Sequence, residues 1–134
     1  MIIIVMSRWL LKGFAMIKVV LLVRRRPGLS REEFRAHYEG THAPLAARSL
    51  AHLSGYTRNF VTGPDNGADP DCVTEFWYEL EPPWSQAREL VADDAIRAML
   101  AVDEARFMDR GSMRTLIVEE CASAPSEFSR ATTA

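Results

Sequence analysis

The first regular pattern begins at Ile17, where Ile17-Lys18-Val19-Val20-Leu21-Leu22-Val23-Arg24 puts apolar side chains on both faces of an extended segment that ends at Pro27-Gly28. A strand covered on both sides is expected. Ser30-Arg31-Glu32-Glu33 follows with capping-box spacing, in which the Ser and Glu side chains each satisfy the other's free backbone N–H, so a helix starts there. Phe34, Tyr38 and Leu45 recur at helical intervals as an inward stripe, while Arg31, Glu32, Arg35 and Glu39 face water. Pro44 has no N–H to donate and crowds the preceding turn, so the helix is expected to kink or restart near His42. Its second piece is expected to run to a stop at Ser54-Gly55.

Alternating apolar and polar residues predict strands over 56–62 and 72–80, joined by a loop rich in Gly, Asp and Pro over 63–70 as an antiparallel hairpin. A helical region with Leu90, Val91, Ile96, Met99, Leu100 and Phe107 as apolar positions comes next, with Asp93-Asp94 as its dividing point. The last strand is expected over 113–119. The order is therefore β-α-β-β-α-β, an α+β fold with a four-stranded antiparallel sheet and both helices on one face. That leaves Val20 and Leu22 on the opposite face of the first strand, and pairing this face against a second copy would bury it, so a homodimer is expected. Mid-strand polar residues must also be housed, either as an Arg58–Glu75 cross-strand pair or in a polar-lined pocket.

At 134 residues one domain is expected, spanning 16–120, with an N-terminal extension over 1–15 and a flexible tail over 121–134. The extension is apolar, but Ser7, Arg8 and Lys12 interrupt it well short of the roughly 20 residues a spanning helix needs, so no membrane contact is expected. Its charge follows the apolar stretch, which does not suit a secretory leader. Sixteen basic residues against 18 acidic, net charge -2, give no basic surplus for nucleic acid. The short run Arg24-Arg25-Arg26 reads as a solvated strand end. Two cysteines without CxxC spacing point to a reduced, cytoplasmic protein. The absence of clustered ligands and of a glycine-rich phosphate loop predicts neither metal nor cofactor.

The candidate chemistry centres on His42, a titratable ring placed where a helix is interrupted and a side chain can be aimed into a cavity. Tyr38 shares the inward stripe and is the second candidate catalytic residue, whereas His37 and His52 are assigned no role. Phe34, Leu45, Arg58, Phe76 and Tyr78 form the candidate lining for a flat, apolar ligand, with Phe76 and Tyr78 on the strand face opposite Trp77.

The run Phe34-x-x-x-Tyr38-x-x-x-His42-Ala43-Pro44-Leu45, with Asp103-Glu104-Ala105-Arg106-Phe107 and a closing Val118-Glu119-Glu120, resembles the EthD domain family over residues 16 to about 120. That resemblance implies a ferredoxin-like fold that dimerises into an α/β barrel. It also implies cofactor-independent enzymes of oxidoreductase, decarboxylase or dehydratase type, with relatives associated with ether degradation and fungal polyketide tailoring, acting on hydrophobic and often aromatic molecules. Under it His42 is the general acid/base or ligand-positioning residue. Many members carry Tyr-Trp where this chain has His37-Tyr38. The leading expectation is thus a small-molecule enzyme; the alternative is a non-catalytic binding accessory of a degradative pathway, motivated by the lack of an evident catalytic partner for His42.

Overall fold

A computed structural model describes residues 16–129; the expected extension over 1–15 and the last five residues of the tail lie outside them. Strand β1 (Ile17–Val23) occupies the centre, paired on one side with β3 (Cys72–Tyr78) and on the other with β4 (Arg114–Val118), while β2 (Leu53–Phe60) pairs with the outer edge of β3. All pairings are antiparallel and the order is β2-β3-β1-β4. With its helices this is the α+β, ferredoxin-like fold that the pattern predicts. No described helix is long and apolar enough to cross a membrane.

Register decides which side chains meet the helices. Val19 stands opposite Phe76 and Ile117, and Leu21 opposite Thr74 and Thr115, so these residues share the inner face. Lys18, Glu75 and Trp77 take the outer face, where the Lys18 ammonium lies 3.2 Å from Glu75 and 4.7 Å from the Trp77 ring centre. Arg58 stands opposite Thr74, and Glu75 opposite Thr57, so the expected Arg58–Glu75 pair does not form. Arg58 instead binds Glu39 through Nε at 2.6 Å and covers the Tyr56 ring. The alternation along each strand follows the pattern, and it places Arg58, level with Thr74, on the inner face and Glu75 on the outer one, so the two cannot pair within the sheet; β2 also carries a register shift between Leu53 and Gly55. Gly55 is required there, since a Cβ would come 2.8 Å from Trp77 Cε3.

Helix α1 (Arg31–His37) begins with the predicted capping box: Glu33 N–H donates to Ser30 Oγ at 3.1 Å, and Ser30 N–H donates to the Glu33 carboxylate at 3.2 Å. It does not break at Gly40. A wide turn over Tyr38–His42 follows, with the Ala43 N–H reaching back five residues to the Tyr38 carbonyl, and α2 (Ala43–Ser49) continues with Pro44 in its first turn. The helix ends earlier than Ser54-Gly55 because Leu50 turns extended and His52 takes a left-handed conformation, φ 61°. Those last residues open β2 instead. Helices α3 (Trp84–Val91) and α4 (Asp94–Phe107) divide at the expected aspartates, with Asp93 capping α4 through the Ile96 N–H at 2.8 Å.

The strand-end basic run is also more structured than a solvated end. Arg25 donates its N–H to Asp71 Oδ2 at 2.8 Å and its Nη1 to Oδ1 at 2.7 Å, tying β1 to the approach to β3.

Candidate functional site

The wide turn sets the site. An ordinary helix would carry the inward face from Phe34 and Tyr38 to Leu45; the extra residue in the turn shifts the phase so that His42, Ala43 and Ala46 are buried and Leu45 is half-buried. His42 is thereby brought against α4. Its Nδ1 lies 2.8 Å from Asp103 Oδ2, with both side chains almost wholly buried. The other carboxylate oxygen, Oδ1, accepts from His37 Nε2 at 3.0 Å and more distantly from Arg106 Nη1 at 3.4 Å. One carboxylate therefore joins two histidines of adjacent turns.

Phe107, one helical turn beyond Asp103 and fully buried, braces the group. Its ring centre is 5.0 Å from that of His42, 4.7 Å from His37 and 5.1 Å from Tyr38. Tyr38 is 1% exposed and its hydroxyl is 2.6 Å from Thr74 Oγ1, which ties the wide turn to the inner face of β3.

Electrostatics assign the tautomer. Burial pushes Asp103 up, but its hydrogen bonds from His42 and His37 outweigh that and hold the carboxyl below its ordinary value. Burial depresses His42 and overcomes the opposing pull of Asp103, so the imidazole is neutral near pH 7. A neutral ring beside a carboxylate carries its proton on Nδ1, leaving the lone pair on Nε2. That is a base with its orienting partner in place. Burial raises Tyr38 well above the ordinary phenol value and keeps it protonated.

His42 and Tyr38 form part of the wall of a cavity of about 510 Å³ between the sheet and the helices. Phe76 and Tyr78 line it from β3, Ala46 from α2 and Leu50 from just past its end, while Trp84 and Leu100 border it from α3 and α4. Of the candidate lining residues, Phe76 and Tyr78 thus reach the cavity. Phe34, Leu45 and Arg58 do not: Phe34 is sealed behind Phe107 and Phe60, Leu45 is turned away by the phase shift, and Arg58 is held by Glu39 near the edge of the sheet. Sequence reasoning assigned no site role to Asp103 or His37. The available signal was the Asp103–Phe107 spacing of four, which puts the carboxylate on the same buried helix face as an apolar anchor. Among the described residues no group of His, Cys, Asp and Glu is arranged to hold a metal ion.

The chain matches the EthD domain over residues 26–111. Among solved structures it is similar to an ethyl tert-butyl ether D (EthD) family protein from Bacillus halodurans, with a TM-score of 0.58 at 20% identity, covering 80% of this chain and 100% of that one. A dimeric protein of unknown function and ferredoxin-like fold from Bacteroides fragilis gives 0.54 at 11% identity, over 80% and 99% of the two chains. SnoaB, a cofactor-independent oxygenase from Streptomyces nogalater, gives 0.51 at 12% identity, over 82% and 97%. At these identities the structural likeness concerns the fold. No curated protein matches the chain.

Proposed function

Because this chain belongs to the EthD family, we propose that it is an enzyme that moves a proton on a hydrophobic, flat small molecule held between its sheet and helices, with His42 as the acid/base and Asp103 as the group that orients it. The observation that carries this reading is the buried His42–Asp103 pair, 2.8 Å apart, at the wall of a 510 Å³ cavity. In the resting state His42 Nε2 accepts a proton from an acidic C–H or O–H of the ligand, and the imidazolium formed is stabilised by the Asp103 carboxylate. The same proton returns to carbon or oxygen later in the cycle. Proton abstraction of this kind begins an oxygenation in which molecular oxygen is the oxidant, or a dehydration that expels hydroxide, while delivery of a proton by the imidazolium completes a decarboxylation once CO2 has left, so the reading is of oxidoreductase or lyase type and invokes no cofactor. SnoaB supports it to the extent that a protein of this fold is a cofactor-independent oxygenase.

Tyr38 acts through its Thr74 bond as a positioning residue for the turn that bears His42. The rival reading of a non-catalytic binding accessory drew its motive from His42 lacking a partner, and Asp103 supplies that partner. We further propose that the outer sheet face meets a second copy. Val20, Leu22 and Trp77 lie there only half-buried, with Leu116 37% exposed beside them, and the Bacteroides fragilis neighbour is dimeric. Light scattering at micromolar concentration should give twice the chain mass; a monomer would contradict this.

Proton abstraction can be read without knowing the natural substrate. In D2O, with α-tetralone as an enolisable aromatic ketone, the protein should accelerate α-hydrogen exchange, and His42→Ala should lose about 100-fold or more of it while retaining its fold by circular dichroism. Undiminished exchange in that variant would remove His42 from the mechanism, and binding without exchange in the native protein would favour the accessory reading.

A further inference from the structure

Two helices measure the cavity from end to end. His42 stands at the start of α2 and Leu50 just past its end, both on the wall, and a rise of 1.5 Å per residue separates them by roughly 12 Å. On α4 the wall residues Arg97, Leu100 and Glu104 share one face at intervals of three and four, with Asp103 beside Glu104, so Arg97 lies about 9 Å along the axis from the carboxylate that holds His42. The Ala51 N–H to Val91 carbonyl bond, 2.8 Å, joins the far end of α2 to the end of α3, the helix that contributes Arg88. Arg88 and Arg97 therefore mark the end of the cavity opposite His42.

The two ends differ in charge. At the His42 end Arg110 is answered by Glu104, its Nε 3.5 Å from the carboxylate. At the far end Arg88 is exposed at the rim and has neither an ion pair nor a hydrogen bond among the described residues. Arg97 is fixed by donating Nη1 to the Ala92 carbonyl at 2.8 Å, and its ion-pair partner among the described residues, Asp94, has a side chain 98% exposed and offers only a screened, weak pair. Between the ends the wall is apolar, with Phe76, Trp84 and Leu100 in it. The chain as a whole carries a net charge of -2, so this positive end is a local feature.

We infer that the ligand is an amphipathic organic acid, whose carboxylate is bound by Arg88 and Arg97 at the mouth while an apolar ring system roughly 9–12 Å long carries its reacting carbon to His42. This rests on the proposed role of the cavity and adds the class of molecule that fills it. The acid group is a handle for recognition, set apart from the reacting centre. A guanidinium suits it because its planar donors match a carboxylate in two parallel bonds, and the pre-fixed Arg97 leaves only Arg88 to be ordered.

The test uses a matched pair of fluorescent probes, 2-anthracenecarboxylate and 2-anthracenemethanol, which share an elongated ring system and differ in charge. The native protein should bind the carboxylate at least ten-fold more tightly than the alcohol. Arg88→Gln should remove most of that preference and Arg88→Glu should reverse it, with the alcohol's affinity held within two-fold in both. Arg88 is exposed and unpaired, so both variants should melt as the native protein does. Equal affinity for the two probes in the native protein, or a preference that survives Arg88→Glu, would overturn the acid assignment while leaving the cavity reading intact, provided the alcohol still perturbs the His42 ring resonances. If neither probe binds or shifts those resonances, both readings fall together.

Discussion

The inner face of the sheet supports two unlike halves. In one, Val23, Phe34, Tyr38, Cys72 and Phe107 are buried to within about 1% of complete exclusion, and the rings of Phe34, Tyr38 and Phe107 pack against one another. In the other, Ile17, Val19, Phe76, Tyr78, Ala87 and Val91 also belong to a buried cluster, yet several of them face open volume instead of one another. The covering side chains differ: Phe107 fills the first half from α4, whereas the open volume of the second is bordered by the small Ala46 and Ala92 together with Trp84, whose ring centre is 5.5 Å from that of Tyr78. A solid half holds a geometry, and in the proposed reading the hollow half takes the ligand. His42 stands on the border, anchored in one and facing the other.

The largest effect should come from breaking the solid half. Phe107→Ala removes the ring that contacts His37, Tyr38 and His42 and should lower stability by about 3–5 kcal/mol in a denaturant titration. Leu100→Ala, already bordering empty volume, should cost less than half of that. A comparable loss at both positions would show that the two halves do not differ.

Asp103→Asn comes next. It leaves two histidines without their buried carboxylate and should cost about 1–3 kcal/mol. Because Asp103 opposes the lowering of His42 by burial, its removal should also move the His42 titration, followed by NMR, further down. The pH dependence of stability has a defined sign. His42 binds its proton less readily folded than unfolded, so its contribution is present above the ordinary imidazole value near 6.5 and is lost as pH falls through its depressed folded value. Replacing His42 should flatten that part of the curve.

Smaller effects probe the hollow half. Ala46→Leu places a larger side chain where there is room and should change stability by less than about 1.5 kcal/mol while reducing the affinity of an anthracene probe. Smallest of all is Tyr56→Phe. The Tyr56 hydroxyl is buried without a hydrogen-bond partner among the described residues, so its deletion should shift stability by no more than about 0.5 kcal/mol.

Much of this fold is written locally. The capping box at Ser30, the Asp93 cap and the alternation along β3 each involve residues close in sequence, and each formed as its spacing indicates. What sequence could not carry was pairing at a distance. Asp103 sits between Val102 and Glu104 on a helix, a setting that reads as a solvated face, and its partner His42 is 61 residues away. Arg58 was misplaced for a similar reason, since its partner Glu39 belongs to the helical turn before it and not to the neighbouring strand. Leu45 was assigned to the lining because a period of 3.6 residues was carried through Gly40, where the helix takes one residue more.

That extra residue works as a phase adjuster inserted into an otherwise continuous rod. One residue corresponds to about 100° of rotation about a helix axis, so excising Gly40 to restore an even winding would swing α2 by that angle and take the imidazole out of reach of its carboxylate. His42 and the helix it opens are thus coupled through winding number, and deletion of one residue with no side chain of its own would part the proposed base from Asp103 while leaving every side chain of the site in the chain.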